Sequence, residues 1–139
     1  MKKILIYEYI TGGGLLNEDL TSSLMNEADM ITTSIYDMCH KSKYFEYNNF
    51  RDYRLSGSFE KEAIIIKNKD KIYDLKFLRG FDYVLPILPE LNMSLYLYVK
   101  YLEKHKINAI ISDSSTIELC SDKLQFYKRF TDKLKGKKI

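Results

Sequence analysis

Lys3-Ile-Leu-Ile-Tyr-Glu-Tyr-Ile-Thr-Gly-Gly-Gly14 is the stretch that decides the fold. A short apolar run reads as a buried β-strand over 3–9, and three consecutive glycines end it. A helical pattern follows. Strand, glycine turn and helix is how nucleotide- and carboxylate-binding α/β domains begin. Glycine lets the backbone turn with positive φ and lets a ligand approach the main chain closely.

Outward from that stretch, the next helix carries Leu24, Ala28, Ile31, Ile35 and Met38, spaced 4, 3, 4, 3 and so on one expected face. Thr21, Ser22 and Ser23 offer capping hydroxyls at its start. A weaker strand is predicted over 44–50, followed by a polar loop from Arg51 to Phe59. Glu62 to Lys67 holds Ala-Ile-Ile-Ile, a β-branched run that reads as a strand. Lys71 to Leu78 reads as a short helix ended by Gly80. Phe81 to Ile87 is another strand, with Pro86 near its end because proline cannot donate to the ladder. A helix is predicted from Asn92 to His105, with Leu91, Leu95, Tyr98, Val99 and Leu102 as its apolar stripe. Ile107 to Ser112 is the last predicted strand. Ser115-Thr-Ile-Glu118 has the form of a capping box opening a helical region. A final helix carries Phe126, Phe130 and Leu134.

Strands alternating with helices imply a parallel sheet with helices on both faces. The expectation is therefore one α/β domain over residues 1–139: a three-layer, Rossmann-like sheet of about five strands in the order 3-2-1-4-5. A chain of 139 residues is large enough for one real core. With 45% hydrophobic and 29% charged residues it has the balance of a soluble globular protein. No apolar run reaches the length of a membrane span. Lys2 and Lys3 before an apolar run faintly mimic a secretion signal, but Glu8 interrupts the run and the glycines end it.

Cys39 and Cys120 both sit among apolar helical positions and are expected to be reduced, packed thiols of a cytoplasmic protein. His40 and His105 lie near predicted helix C-termini, where partial positive charge is favourable, and neither has the partners of a metal site. The net charge of +3 is uneven. Residues 120–139 hold seven Lys or Arg against two Asp. Such a tail can bind a polyanion or simply form a solvated helix face. Nucleic acid is not the expected partner. Twelve tyrosines suit core edges as well as interfaces.

In an open doubly wound sheet, ligands bind at the carboxyl ends of the strands where strand order reverses. Here that point lies between strands one and four, where three loops are expected to converge. Gly12, Gly13 and Gly14 would offer backbone N–H donors to a carboxylate or phosphate, or serve only as a turn. Glu90 would accept from an amine or hydroxyl, or simply favour a helix dipole. Ser114 and Ser115 would supply small hydroxyls, although the capping box already accounts for Ser115. No dinucleotide fingerprint is present, because position 17 is Asn rather than Gly. There is no Gly-Lys-Ser/Thr phosphate loop, and no His is placed to activate Ser22 or Ser114. A flavodoxin-type flavin domain remains open on fold alone.

Two segments carry a family resemblance. Glu8-Tyr-Ile-Thr-Gly-Gly-Gly14, with Leu88-Pro-Glu90, resembles the opening of ATP-grasp carboxylate–amine ligases, especially the archaeal tyramine–glutamate ligase group. Ser114-Ser-Thr-Ile-Glu-Leu-Cys-Ser-Asp-Lys123 resembles that family's small-residue segment, helix and Asp-Lys pair. The resemblance covers nearly the whole chain but only the N-terminal portion of the family. It implies a pre-ATP-grasp domain that lines the site for a small carboxylate or amine substrate. It also implies that Lys123 contacts nucleotide. The full enzyme would use ATP and Mg to form an acylphosphate. The ATP-grasp core and its Mg-binding residues are not in 1–139, so this chain alone is expected to bind no cofactor and turn nothing over. The missing C-terminal ATP-grasp domain is then the expected partner, resting on Phe126, Phe130 and Leu134, which should be unusually exposed. A standalone Rossmann-like binding or regulatory module is the other reading.

Overall fold

The computed structural model describes residues 1–55 and 63–135, with side chains of the last helix as far as Thr131. Part of the predicted 51–59 loop, Glu62 and the side chain of Leu134 lie outside the described residues. Four parallel strands form the sheet: β1 (Lys2–Glu8), β2 (Phe45–Asp52), β3 (Ala63–Ile66) and β4 (Tyr83–Ile87), in the order β3-β2-β1-β4. β1 is central, and Ile4 to Glu8 are buried without alternation. A strand covered on both faces needs such a continuous run.

The expected order holds for these four strands, but the fifth is reduced to a single parallel bridge, Val84 to Ala109. Val84 donates its N–H to Asn108 O (2.9 Å) and its carbonyl accepts from Ile110 N (2.8 Å). The next β4 residue facing that edge is Pro86, which has no N–H to donate. The ladder stops there, and Ile110 and Ile111 are left exposed.

Each face of the sheet has its own core. Leu5, Tyr7, Phe50 and Val84 face one way, against Ile72, Leu78, Tyr98 and Leu102. Those partners come from a 3-10 turn (Lys69–Tyr73), α2 (Leu75–Leu78) and α3 (Ser94–Lys104). The predicted 71–78 helix is thus split in two, and Asp74 caps the second piece by accepting from Phe77 N (3.1 Å). Another 3-10 turn (Leu91–Met93) precedes α3, with Asn92 and Met93 at positive φ.

Ile4, Ile6 and Tyr47 face the other way, under α1 (Ser22–Lys41). The face of α1 that packs is rotated from the expected stripe. Ala28 and Thr32 are buried, and Ile35, Tyr36 and Cys39 pack beside them, while Leu24, Ile31 and Met38 are exposed. Thr32 escapes a hydrophobicity reading because it is polar. Its hydroxyl donates to Ala28 O (2.9 Å) and so is satisfied inside the apolar contact. Arg51, expected in a loop, is instead a buried residue of β2 whose guanidinium pairs with Asp29 of α1 at 2.5 Å.

α4 (Ser114–Ser121) packs on α3, and α5 (Lys123–Lys135) on α4. The start of α4 corrects the predicted capping box. Asp113, not Ser115, is the cap: its carboxylate accepts from Thr116 N (2.8 Å) and from the Ser115 hydroxyl (2.6 Å). An ionised Asp is the stronger acceptor at a helix N-terminus, so it takes the place Ser115 would have held. Cys39 is partly buried as expected, but Cys120 is exposed rather than packed.

Candidate functional site

The glycine loop folds back on the strand that precedes it. Glu8, the last residue of β1, is buried, and its carboxylate accepts from Ile10 N (3.1 Å), Thr11 N (2.7 Å) and the Thr11 hydroxyl (2.7 Å). Gly12 N donates to Glu8 O and Gly14 N to Tyr9 O, each at 2.8 Å. Two of the three glycine donors are therefore engaged within the loop. The glycines are required by space. A Cβ on Gly12 would lie 2.2 Å from Glu8 O, and one on Gly14 would lie 2.5 Å from Tyr9 O. Gly13 has φ +90, and a Cβ there would meet Ile66 at 2.7 Å.

The end of β2 clamps this loop. Asp52 N donates to Thr11 O (2.6 Å). The fully buried Asp52 carboxylate accepts from Arg54 Nε (3.0 Å) and NH2 (2.7 Å). The same guanidinium donates to the carbonyls of Leu15 and Glu18, both at 2.7 Å. Burial opposes ionisation of Asp52, but the hydrogen bonds and charge of Arg54, aided by Arg51, outweigh it and hold the carboxyl below its usual range. Neither Asp52 nor Arg54 belongs to any motif in the sequence. Only the three-dimensional fork shows that they act together.

Beside the clasp, a cavity of about 150 Å3 opens between the ends of β1 and β4. It is lined by Tyr7, Tyr9 and Gly14 from the first strand and its loop, and by Leu88 after β4. Lys69, Ile72 and Tyr73 of the 3-10 turn and Ser94 and Leu97 of α3 complete it. This is the reversal point at the carboxyl ends of the strands, where open α/β sheets bind ligands. Tyr7 is 3% exposed and packs edge-on against Phe50 and Tyr98. Burial, with smaller contributions from neighbouring tyrosines and Glu8, pushes its phenol far above the ordinary value, so it stays a neutral donor. Tyr98 donates to Ile72 O (3.4 Å) and Tyr101 to Tyr73 O (2.6 Å). These bonds fix the 3-10 turn against α3 and so set the cavity wall.

The residues singled out in the sequence divide among these features. Gly14 and Leu88 meet in the cavity. Glu90 is exposed at the turn before α3, where its carbonyl accepts from Met93 N. Ser114 is bonded elsewhere, donating its N–H (2.8 Å) and hydroxyl (2.5 Å) to Glu103 at the end of α3. Ser115 lines a separate groove between α4 and α5 with Phe126 and Phe130. Lys123 is exposed at the start of α5, in a shallow depression with Met93, Glu118 and Asp122. Lys69, Tyr7 and Tyr73 escape the sequence reading because they sit in no motif.

Among the described residues, no group of three His, Cys, Asp or Glu is placed to hold a metal ion. Lys123 shares its depression with two carboxylates, Glu118 and Asp122. No helix among the described residues is long and apolar enough to cross a membrane.

Fold and cavity together define a Rossmann-like α/β domain with a crevice at its strand ends. No family model matches the chain. It is 28% identical over 145 residues to the tyramine–L-glutamate ligase of Methanocaldococcus fervens, an alignment covering 97% of this chain and 47% of that protein. It also resembles an ATP-grasp superfamily protein from Archaeoglobus fulgidus of known crystal structure. There the TM-score is 0.75 at 27% identity, over 95% of this chain and 40% of the other. In sequence and in fold the chain is thus similar to part of an ATP-grasp superfamily protein and of a tyramine–L-glutamate ligase. It spans about half the length of the curated relative it matches.

Proposed function

We propose that this chain is the N-terminal, substrate-side domain of an ATP-dependent carboxylate–amine ligase. The observation that carries the reading is the match of 97% of the chain to 47% of a tyramine–L-glutamate ligase. In this reading the full enzyme, working in the cytoplasm, activates a carboxylate as an acylphosphate that an amine then attacks. Residues 1–139 shape the substrate side and leave the phosphoryl chemistry to an ATP-grasp core. In this reading Gly12, Gly13, Gly14 and Glu90 belong to the substrate side and Lys123 reaches toward nucleotide, while Ser114, bonded to Glu103, and Ser115, in the groove between α4 and α5, stand apart from the cavity. The exposed Phe126 and Phe130 of α5 give that core an apolar surface to cover.

The test is ADP release. The purified 139-residue chain, given Mg-ATP, L-glutamate and tyramine, is expected to release none. The complete reading frame that contains it should release ADP only when both a carboxylate and an amine are supplied. Turnover by the 139-residue chain alone contradicts the reading, and so does a complete frame that releases no ADP with any carboxylate and amine. The latter result favours a standalone binding module, for which exposed Leu124, Tyr127 and Phe130 on the basic α5 would be the partner surface.

A further inference from the structure

The cavity beside the glycine clasp holds hydrogen-bonding capacity that the fold does not use. Tyr7 is 3% exposed as a residue, but its hydroxyl opens on the cavity and bonds to nothing among the described residues. A hydroxyl that faces a cavity without a protein partner can give its hydrogen bond to whatever enters. The hydroxyls of Tyr9 and Tyr73, which line the same cavity, are likewise unengaged among the described residues. Lys69 is the one charged residue of the lining and forms no ion pair among the described residues. Among the described residues no carboxylate lines the cavity, so an amine would find no counter-charge from them. Leu88 and Leu97 supply an apolar wall. A cavity of about 150 Å3 is the size that admits a single benzene-sized ring.

We propose that this cavity binds a small organic carboxylate with a single-ring or short apolar body. The carboxylate faces the Lys69 ammonium and the Tyr7 hydroxyl, and the body lies against Leu88 and Leu97. The biological meaning rests on the substrate-side reading above, because such a ligand would be the acid to be activated or an acid of similar shape. The geometry does not rest on it. Neutral phenol donors around one cation select an anion over a neutral isostere, since a charge-assisted hydrogen bond is roughly twice as strong as a neutral one.

Three probes of nearly equal shape test this by calorimetric titration of the 139-residue chain: benzoate, benzamide and benzylamine. Benzoate is expected to bind with a dissociation constant on the order of 1 mM, and benzamide about tenfold more weakly. Benzylamine should not bind measurably. Lys69→Ala, at an exposed position, should bring benzoate down to the level of benzamide. Tyr7→Phe should weaken benzoate several-fold and leave benzamide less affected. Leu97→Trp, at a half-exposed lining position, should block all three. Equal binding of benzoate and benzamide overturns the proposal, as do preference for benzylamine, benzoate binding untouched by Lys69→Ala, or no binding at all. Turnover plays no part in this titration, so a failure here leaves the ligase reading standing, and a failure of ADP release leaves this result standing.

Discussion

The two loops that meet at the carboxyl end of β1 are chemically opposite. The glycine clasp is largely self-satisfied: Gly12 N, Gly14 N and Thr11 N all donate internally, the Glu8 carboxylate accepts three bonds, and of the loop glycines Gly13 N alone has no partner among the described residues. The tyrosine cavity, which Gly14 also lines, is unsaturated, with three phenols and one ammonium unengaged among the described residues. Glycines next to a strand draw attention as a ligand loop, yet here their close packing serves the fold. Spare hydrogen-bonding capacity, not glycine content, marks where a ligand has something to gain.

That contrast can be broken at the clasp, where the largest effect is expected. Gly12→Ala sets a methyl against the backbone carbonyl of Glu8 and should cost about 3 kcal/mol in a urea titration. A loss below about 1 kcal/mol would mean that the loop relaxes freely and is no clasp. Arg54→Ala should follow at about 2 kcal/mol, because it strands the buried Asp52 carboxylate and frees the carbonyls of Leu15 and Glu18. The figure is below that of a fully buried pair because the Arg54 side chain is 28% exposed.

A pH titration sharpens the same point. Asp52 is held below its ordinary carboxyl value by Arg54 against the cost of burial, and Asp82 by hydrogen bonds from the Lys2 ammonium and Lys3 N. A depressed folded-state value stabilises above the unfolded carboxyl range, near pH 4, and that stability is lost as pH falls through the folded value. The urea midpoint should therefore drop between pH 5 and pH 3, and Asp52→Asn should flatten the drop. An unchanged slope in that variant would remove Asp52 from the account. The smallest effect is expected in the cavity. Tyr7→Phe deletes a hydroxyl that bonds to nothing among the described residues, so stability should stay within about 0.5 kcal/mol or rise slightly. A loss above about 2 kcal/mol would reveal a structural partner for that hydroxyl.

How much of this the sequence disclosed depends on the range of the interaction. The apolar run of β1 and the glycine turn are local signals, and they place the central strand and its end; Pro86 marks the end of β4, but its effect on the neighbouring edge, where a full strand was expected over Ile107 to Ser112, depends on the pairing and was not legible. The stripe on α1 was legible as amphipathic, but its packing face was not, because Thr32 hides its hydroxyl in its own helix. The cap of α4 went to Asp113 because two acceptors competed within two residues. The cavity was invisible in the sequence. Tyr7, Lys69 and Tyr73 come together only when the 3-10 turn, fixed by Tyr98 and Tyr101 through backbone carbonyls, is laid over the end of β1.

Amide hydrogen exchange at Gly12 and Gly14 tests most directly whether the glycine loop is a clasp and the neighbouring cavity the binding place. Both amides should be protected in the ligand-free chain and unchanged by millimolar phosphate. Free exchange at both, slowing when phosphate is added, would make the glycine loop itself the anion site and contradict the account.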